Sequence, residues 1–259
     1  MTPSLTIATW NVNGIRARLD RVLDWISRNP VDVLCVQESK APNDQFPAAP
    51  FEQIGYRLAL HGQKSFNGVA LIARQDMDDV VRGLEGDPQT RLIGATVGDV
   101  RVFSAYFPNG QAVGSDKYAY KLQWMADLRD LLARELEKHP RLVLCGDFNV
   151  APEPRDTHDP EVWEGNILCS DREREALAAL RGLGLHDAFR AVRPDDVAFT
   201  WWDYRALAFP KNHGLRIDHV YVTEPLLSRI ASVTIDRDAR KGKQASDHTP
   251  VVTTLRASV

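Results

Sequence analysis

Arg91-Leu92-Ile93-Gly94-Ala95-Thr96-Val97-Gly98-Asp99-Val100-Arg101-Val102-Phe103-Ser104-Ala105-Tyr106 is the stretch that decides the fold class. Two short runs rich in apolar and β-branched residues, 91–97 and 100–106, meet across Gly98-Asp99, a hairpin-type turn. Strands joined so directly run antiparallel, whereas parallel neighbours need a long crossover. Elsewhere in the chain, strand-like runs alternate with helical periods. That mixture predicts an α/β fold with two mixed sheets packed face to face and helices outside, not a purely parallel Rossmann sheet.

Outward from the hairpin, further strands are predicted over 5–10, 31–36, 68–73, 141–145, 216–222, 230–235 and 251–255. Leu19, Val22, Leu23 and Ile26 mark one amphipathic helix, and Leu122, Met125, Leu128, Leu132 and Leu136 a longer one. A third begins at Ser170, where Ser170 and Glu173 have the spacing of a capping box ahead of Leu177, Leu180 and Leu183. The irregular stretch 150–169 reads as a functional surface loop. No linker or low-complexity segment interrupts the pattern, and 259 residues with 44% hydrophobic content suit one catalytic domain spanning 1–259.

The 32 basic and 35 acidic residues leave a formal charge of -3, which excludes a histone-like polycation but permits a local basic groove. Cys35, Cys145 and Cys169 show no CxxC spacing and fit reduced thiols in apolar runs. Met1-Thr2-Pro3-Ser4 leads into a strand without a basic or apolar leader, and no apolar run approaches membrane length. A cytoplasmic protein with no membrane partner is expected.

Function is signalled at the strand ends. Trp10-Asn11, Val36-Gln37-Glu38, Cys145-Gly146-Asp147-Phe148-Asn149, Ile217-Asp218-His219 and Ser246-Asp247-His248 each close or open an apolar run with carboxylates, amides or imidazoles. A GDxN turn alone is ordinary turn chemistry, but several polar strand ends read as one site at a common sheet edge. Glu38 is a hard oxygen ligand whose burial without a cation or donor would be costly. His248 supplies an imidazole, a group able to titrate near neutrality, with Asp218 available to orient it. With no HxxxH or CxxC pair, a zinc centre is not expected.

Trp10-Asn11-Val12-Asn13-Gly14-Ile15-Arg16, Gln37-Glu38-Ser39-Lys40, Tyr106-Phe107-Pro108-Asn109-Gly110, Gly146-Asp147-Phe148-Asn149, Trp201-Trp202-Asp203-Tyr204-Arg205, Leu215-Arg216-Ile217-Asp218 and Ser246-Asp247-His248 occur in one order. In that order they resemble the exonuclease III family of abasic-site endonucleases, within the endonuclease, exonuclease and phosphatase superfamily. The likeness runs over about residues 5–255.

The resemblance implies a four-layer α/β sandwich and Mg2+-dependent, or Mn2+-dependent, hydrolysis of DNA phosphodiesters. The bond cut would lie 5′ of an abasic site in duplex DNA, leaving a 3′ hydroxyl, with 3′-to-5′ exonuclease and 3′-end cleaning as companion activities. By motif position, Asn11 and Glu38 would form the principal metal environment with Asp247 nearby, and Asp147, Asn149 and His248 would also border the metal. Asp147 would activate water, Asn149 orient water or phosphate, Tyr106 touch the phosphate, and His248, held by Asp218, stabilise the phosphorane. Trp201, Trp202 and Leu215 would bound the abasic pocket, Phe66 would reach the minor groove, and Arg16, Lys40, Arg91, Asn109, Lys117 and Lys121 would contact DNA. The enzyme is expected to act as a monomer.

Two positions depart from the pattern. Asn13 stands where some relatives carry Asp, and Leu215 where some carry Trp, so metal charge and pocket boundary differ here. Two other readings stand beside this one: a phosphatase or phosphodiesterase of the same superfamily acting on an inositol phosphate or lipid headgroup, and a DNA-binding module without turnover. The aromatic 201–205 segment favours DNA over a headgroup.

Overall fold

The hairpin predicted around Gly98-Asp99 lies near the middle of one of two six-stranded mixed sheets. The computed structural model describes residues 4–258, so the expectation for Met1-Thr2-Pro3 falls outside the described residues. Its strands are β1 (Leu5–Asn11), β2 (Val33–Gln37), β3 (Arg57–His61), β4 (Val69–Ala73), β5 (Asp78–Arg82), β6 (Leu92–Val97), β7 (Val100–Tyr106), β8 (Leu142–Asp147), β9 (Leu185–Asp187), β10 (Asp218–Thr223), β11 (Ile230–Ile235) and β12 (Val251–Leu255). One sheet has the order β11-β12-β1-β2-β4-β3 and the other β5-β6-β7-β8-β10-β9.

Each sheet holds one parallel pair, β1 with β2 and β7 with β8, at its centre. Between the sheets lies an apolar layer containing Ile7, Val33, Cys35, Leu71, Ile93, Val102, Val143 and Val220. The helix Asp116–Lys138 covers the outside of the second sheet through Trp124, Leu128 and Leu132, against Phe103, Leu144 and Phe148. The helix Ile15–Arg28 covers the first through Val22, Trp25 and Ile26, against Trp10, Leu34 and Ile72. These are the four expected layers. The capping box at Ser170 is present on the helix Asp171–Arg181, and all three cysteine thiols are free and buried. No helix among the described residues is long and apolar enough to cross a membrane.

Three strands escape the sequence pattern. β3 and β5 are sheet edges, and β5 exposes most of Asp78-Asp79-Val80-Val81-Arg82. Charge on an edge strand blocks pairing with other chains, and it erases the apolar alternation that marks a strand. β9 is three residues long. At the strand expected over 216–222, pairing begins only at Asp218, because Arg216 turns inward to a buried charge cluster.

In that cluster Arg216 Nε donates to Asp156 Oδ1 (2.7 Å), while Nη1 donates to Asp187 Oδ2 (2.8 Å) and lies 3.1 Å from His219 Nδ1. His219 Nε2 lies 3.0 Å from the Val150 carbonyl. Nε2–H is therefore the donor and Nδ1 the acceptor, which makes this a neutral imidazole. Burial, reinforced by the Arg216 guanidinium, lowers its pKa to about 4. The unfolded chain, with an ordinary value near ~6.5, takes up a proton in a range where the fold refuses it, so stability falls as pH drops from about 6.5 towards 4. About 2 kcal/mol of this is lost by pH 5. Denaturant melts at pH 7 and pH 5 should show the wild type losing that much more across the step than His219→Gln; equal losses would remove His219 from the pH response.

Candidate active site

The topology brings the polar strand ends to one edge. Asn11 and Gln37 are partners at the ends of the parallel β1 and β2, and Tyr106 and Asp147 are partners at the ends of β7 and β8. Asp218 opens β10 opposite Asp147. The segment entering β12 is tied to β1, where Ser246 Oγ donates to the Asn11 carbonyl at 2.7 Å. Gln37 Nε2 joins the two sheets beneath the site by donating to Ser104 Oγ at 2.9 Å.

The backbone then turns sharply. Glu38 (φ 52) and Asn149 (φ 49) are left-handed, as are Asn13 and Lys40. Such residues are uncommon outside glycine and cluster at functional sites. Gly146 is required for a different reason: a Cβ there would lie 1.8 Å from the Ala105 carbonyl oxygen. Its absence lets β8 approach β7 closely just before Asp147.

Asn11 Nδ2 donates to both Glu38 Oε1 (2.8 Å) and Asp147 Oδ2 (2.9 Å). Asp147 also accepts the Asn149 backbone N–H at 3.0 Å. Asp218 accepts from His248 Nδ1 at 2.9 Å, and His248 Nε2 faces Asp147 Oδ2 at 3.7 Å. Burial would lower the pKa of His248, but Asp218 and then Asp147 outweigh it and raise it to about 10. Burial, with added repulsion from Asp218 and Glu38, raises Asp147 to about 7 against the pull of His248. Near neutrality the proton of this pair sits on the imidazole. Burial would also raise Glu38, yet the Lys40 ammonium at 2.8 Å and the Asn11 amide hold it below its ordinary value. Tyr106, raised well above its ordinary range by burial and by Glu38, stays a hydroxyl donor.

Glu38, Asp147 and His248 offer ligand atoms within 4.8 Å of one another. Two carboxylates bridged by one neutral amide form a concentrated oxygen site that suits a divalent cation. Three of the expected metal neighbours have other partners. Asn11 turns its oxygen to the Asn13 backbone N–H (3.0 Å) and its NH2 to the carboxylates. Asp247 accepts from Asn13 Nδ2 (2.9 Å) and Trp201 Nε1 (3.0 Å). They hold the two carboxylates and the pocket wall. Asn149 Oδ1 likewise accepts from Asn109 at 3.2 Å.

Beside the carboxylates opens a pocket of about 320 Å³, lined on its apolar side by Trp163, Ile167, Leu168, Trp201 and Ile217. Trp163, Ile167 and Leu168 were not singled out from the sequence, although all lie in the irregular 150–169 stretch, and three large apolar residues in a charged loop were the available signal. Trp201 is held by short antiparallel bridges to Leu215 and His248.

Three of the expected DNA contacts are buried. Trp202 packs into a small core with Phe199 and Ala208, its ring edge against Phe209. Leu215 lies behind Trp201 with Ala151 and Cys169. Lys121 is wholly buried in an ion pair with Glu173. None of the three has surface to offer a duplex. The other expected contacts remain accessible. Phe66 is 69% exposed on the β3–β4 loop, next to the Glu38 turn through the Lys40 N–H to Asn67 carbonyl bond. Asn109 and Lys117 are exposed, Arg16 reaches Gln45, and Arg91 stacks over the Tyr106 ring at 4.7 Å.

The profile of the Endonuclease/Exonuclease/phosphatase family matches residues 8–248. The chain belongs to this family. Exodeoxyribonuclease III of Haemophilus influenzae is 34% identical over 258 residues, covering 94% of this chain and 97% of that protein. Among solved structures, a Neisseria 3′ phosphatase, NExo, bound to a product DNA hairpin, is 42% identical with a TM-score of 0.95, covering 97% of this chain and 99% of that one. An AP endonuclease from Archaeoglobus fulgidus is 38% identical with a TM-score of 0.93, with the same coverage. Membership in a nuclease branch of the family makes this chain a hydrolase of nucleic-acid phosphoesters.

Proposed function

We propose that the chain hydrolyses the phosphodiester 5′ of an abasic site in duplex DNA, leaving a 3′ hydroxyl, and also trims or cleans blocked 3′ ends, acting as a monomer with Mg2+. One observation carries the reading: the Glu38–Asp147 carboxylate pair and the His248 imidazolium share a pocket with an apolar wall of Trp163, Ile167, Leu168 and Trp201. A phosphate and a baseless sugar need those two surfaces side by side. The nuclease relatives and the DNA-bound neighbour weigh against an inositol phosphate or lipid headgroup.

Glu38 and Asp147 would hold the cation, which prefers oxygen ligands and retains waters. When bound it supplies charge neutralisation for the phosphate and the leaving oxygen. Asp147, buried beside the Asn11 amide and facing His248, takes the proton of the attacking water. His248 and the Tyr106 hydroxyl donate to the phosphoryl oxygens as their charge grows. Asn149, left-handed, borders the same space, with its side-chain amide held by the Phe107 carbonyl at 3.0 Å and by Asn109 at 3.2 Å.

Incubation with a duplex carrying one tetrahydrofuran abasic analogue, and separately with a 3′-phosphate nick, tests the function. Site-specific incision and phosphate release with Mg2+, both abolished by chelator, are expected. Full activity in excess chelator, or no cleavage of either substrate, would refute it.

Trp201 contributes selectivity in this reading. Trp201→Ala should slow abasic incision by about 1–3 kcal/mol, the scale of an aromatic contact with a nucleotide, while undamaged duplex is bound nearly as before. Rates with the two substrates should therefore fall unequally. Parallel falls accompanied by a lower melting temperature would assign Trp201 to packing.

A further inference from the structure

Lys121 lies in the helix Asp116–Lys138 and Glu173 in the first turn of the helix Asp171–Arg181, and neither side chain has any exposed surface. An ammonium has three donors, and here all three are used: one on Glu173, one on the Asn149 carbonyl at 2.6 Å, one on the Asn109 carbonyl at 3.3 Å. Glu173 in turn accepts the Leu168 N–H at 3.1 Å through Oε1, and the Ser170 N–H and hydroxyl through Oε2. The pair therefore joins opposite sides of the pocket. Asn149 and Asn109 stand at its polar side, and Leu168, itself left-handed with φ 73, stands in its apolar wall. The Leu168 carbonyl closes the circuit by accepting the Ala151 N–H at 2.8 Å, two residues beyond Asn149.

We propose that Lys121 and Glu173 are positioning residues for the reaction, holding the Asn149 turn and the Leu168 wall at a set separation without touching substrate. Removing one charge strands the other in the interior, whereas removing both leaves a neutral core. The proposal rests on the role given to this pocket above, and the wild type is the control for that role. An unreactive wild type fails the functional reading itself.

The test compares the wild type, the double variant Lys121→Met with Glu173→Met, and the single variant Glu173→Gln, which keeps one acceptor oxygen, for either the Leu168 or the Ser170 N–H. Single-turnover incision of the tetrahydrofuran duplex with Mg2+, duplex affinity and thermal melting are measured for each. The double variant is expected to fold and to bind duplex within threefold of the wild type, yet to incise at least tenfold more slowly. Glu173→Gln is expected to lose less than the double variant. Incision at the wild-type rate by a folded double variant overturns the proposal, as does a rate loss matched by an equal loss of affinity. A Glu173→Gln loss as large as that of the double variant would point to charge balance and overturn it too. Failure of both variants to fold would assign the pair to stability alone.

Discussion

Asp147→Asn should lower single-turnover hydrolysis by about 10²–10⁴-fold, or about 3–5 kcal/mol in barrier, while leaving duplex affinity equal or higher. The carboxyl is buried, and its pKa is raised to about 7 chiefly by that burial. Such a group can accept a proton from water at neutral pH, and an amide cannot. The wild-type rate should therefore fall on the acid side as Asp147 takes up a proton, and this limb should vanish in the variant. Affinity does not suffer because one negative charge leaves the neighbourhood of the phosphate. An asparagine oxygen can still accept the Asn149 N–H that Asp147 now accepts, so the turn should survive. Retention of more than about a tenth of the wild-type rate, about 1.4 kcal/mol, would show that another group takes the proton.

His248→Gln comes next, with an expected rate loss of about 10²–10³-fold, the effect of deleting one preorganised donor to a developing oxyanion. Glutamine can donate, but it carries no charge. The imidazole opposes its own burial only because Asp218 at 2.9 Å and Asp147 hold its proton. The single variant leaves Asp218 buried without its partner, so a stability loss is expected as well. Adding Asp218→Asn should recover much of that stability without recovering the rate. Rate and stability returning together would make the imidazole a structural element, and the phosphoryl donor would have to be sought elsewhere, with Tyr106 first.

Much of this was legible in the chain because local signals agreed with the fold. The Gly98-Asp99 turn, the Ser170 capping box and the Val-rich runs each encode local geometry, and the structure has all three. The edge strands β3 and β5 were illegible because solvent exposure removes the pattern that burial imposes. In the site, residue type marked groups that the fold does bring together, Glu38, Asp147, Asp218 and His248. It was uninformative for Lys121, Trp202 and Leu215. A lysine at a helix start and a tryptophan beside a catalytic segment look alike in sequence whether they face DNA or the interior.

By itself, then, the sequence determined the class of fold, the runs that form the central strands and the set of polar residues at their ends. Hydrophobic periodicity and turn chemistry act over a few residues, and both are written directly in the chain. Tertiary structure alone decided which of those polar groups meet. The parallel β1–β2 and β7–β8 pairs bring Asn11, Glu38, Tyr106 and Asp147 to one edge from positions far apart in the chain. Burial there raises Asp147, while Asp218 and Asp147, against that burial, keep His248 charged. The Lys121–Glu173 pair is equally a product of packing: two helices must first dock before either charge has a partner, since desolvation and ion pairing depend on distances in space that no local pattern records.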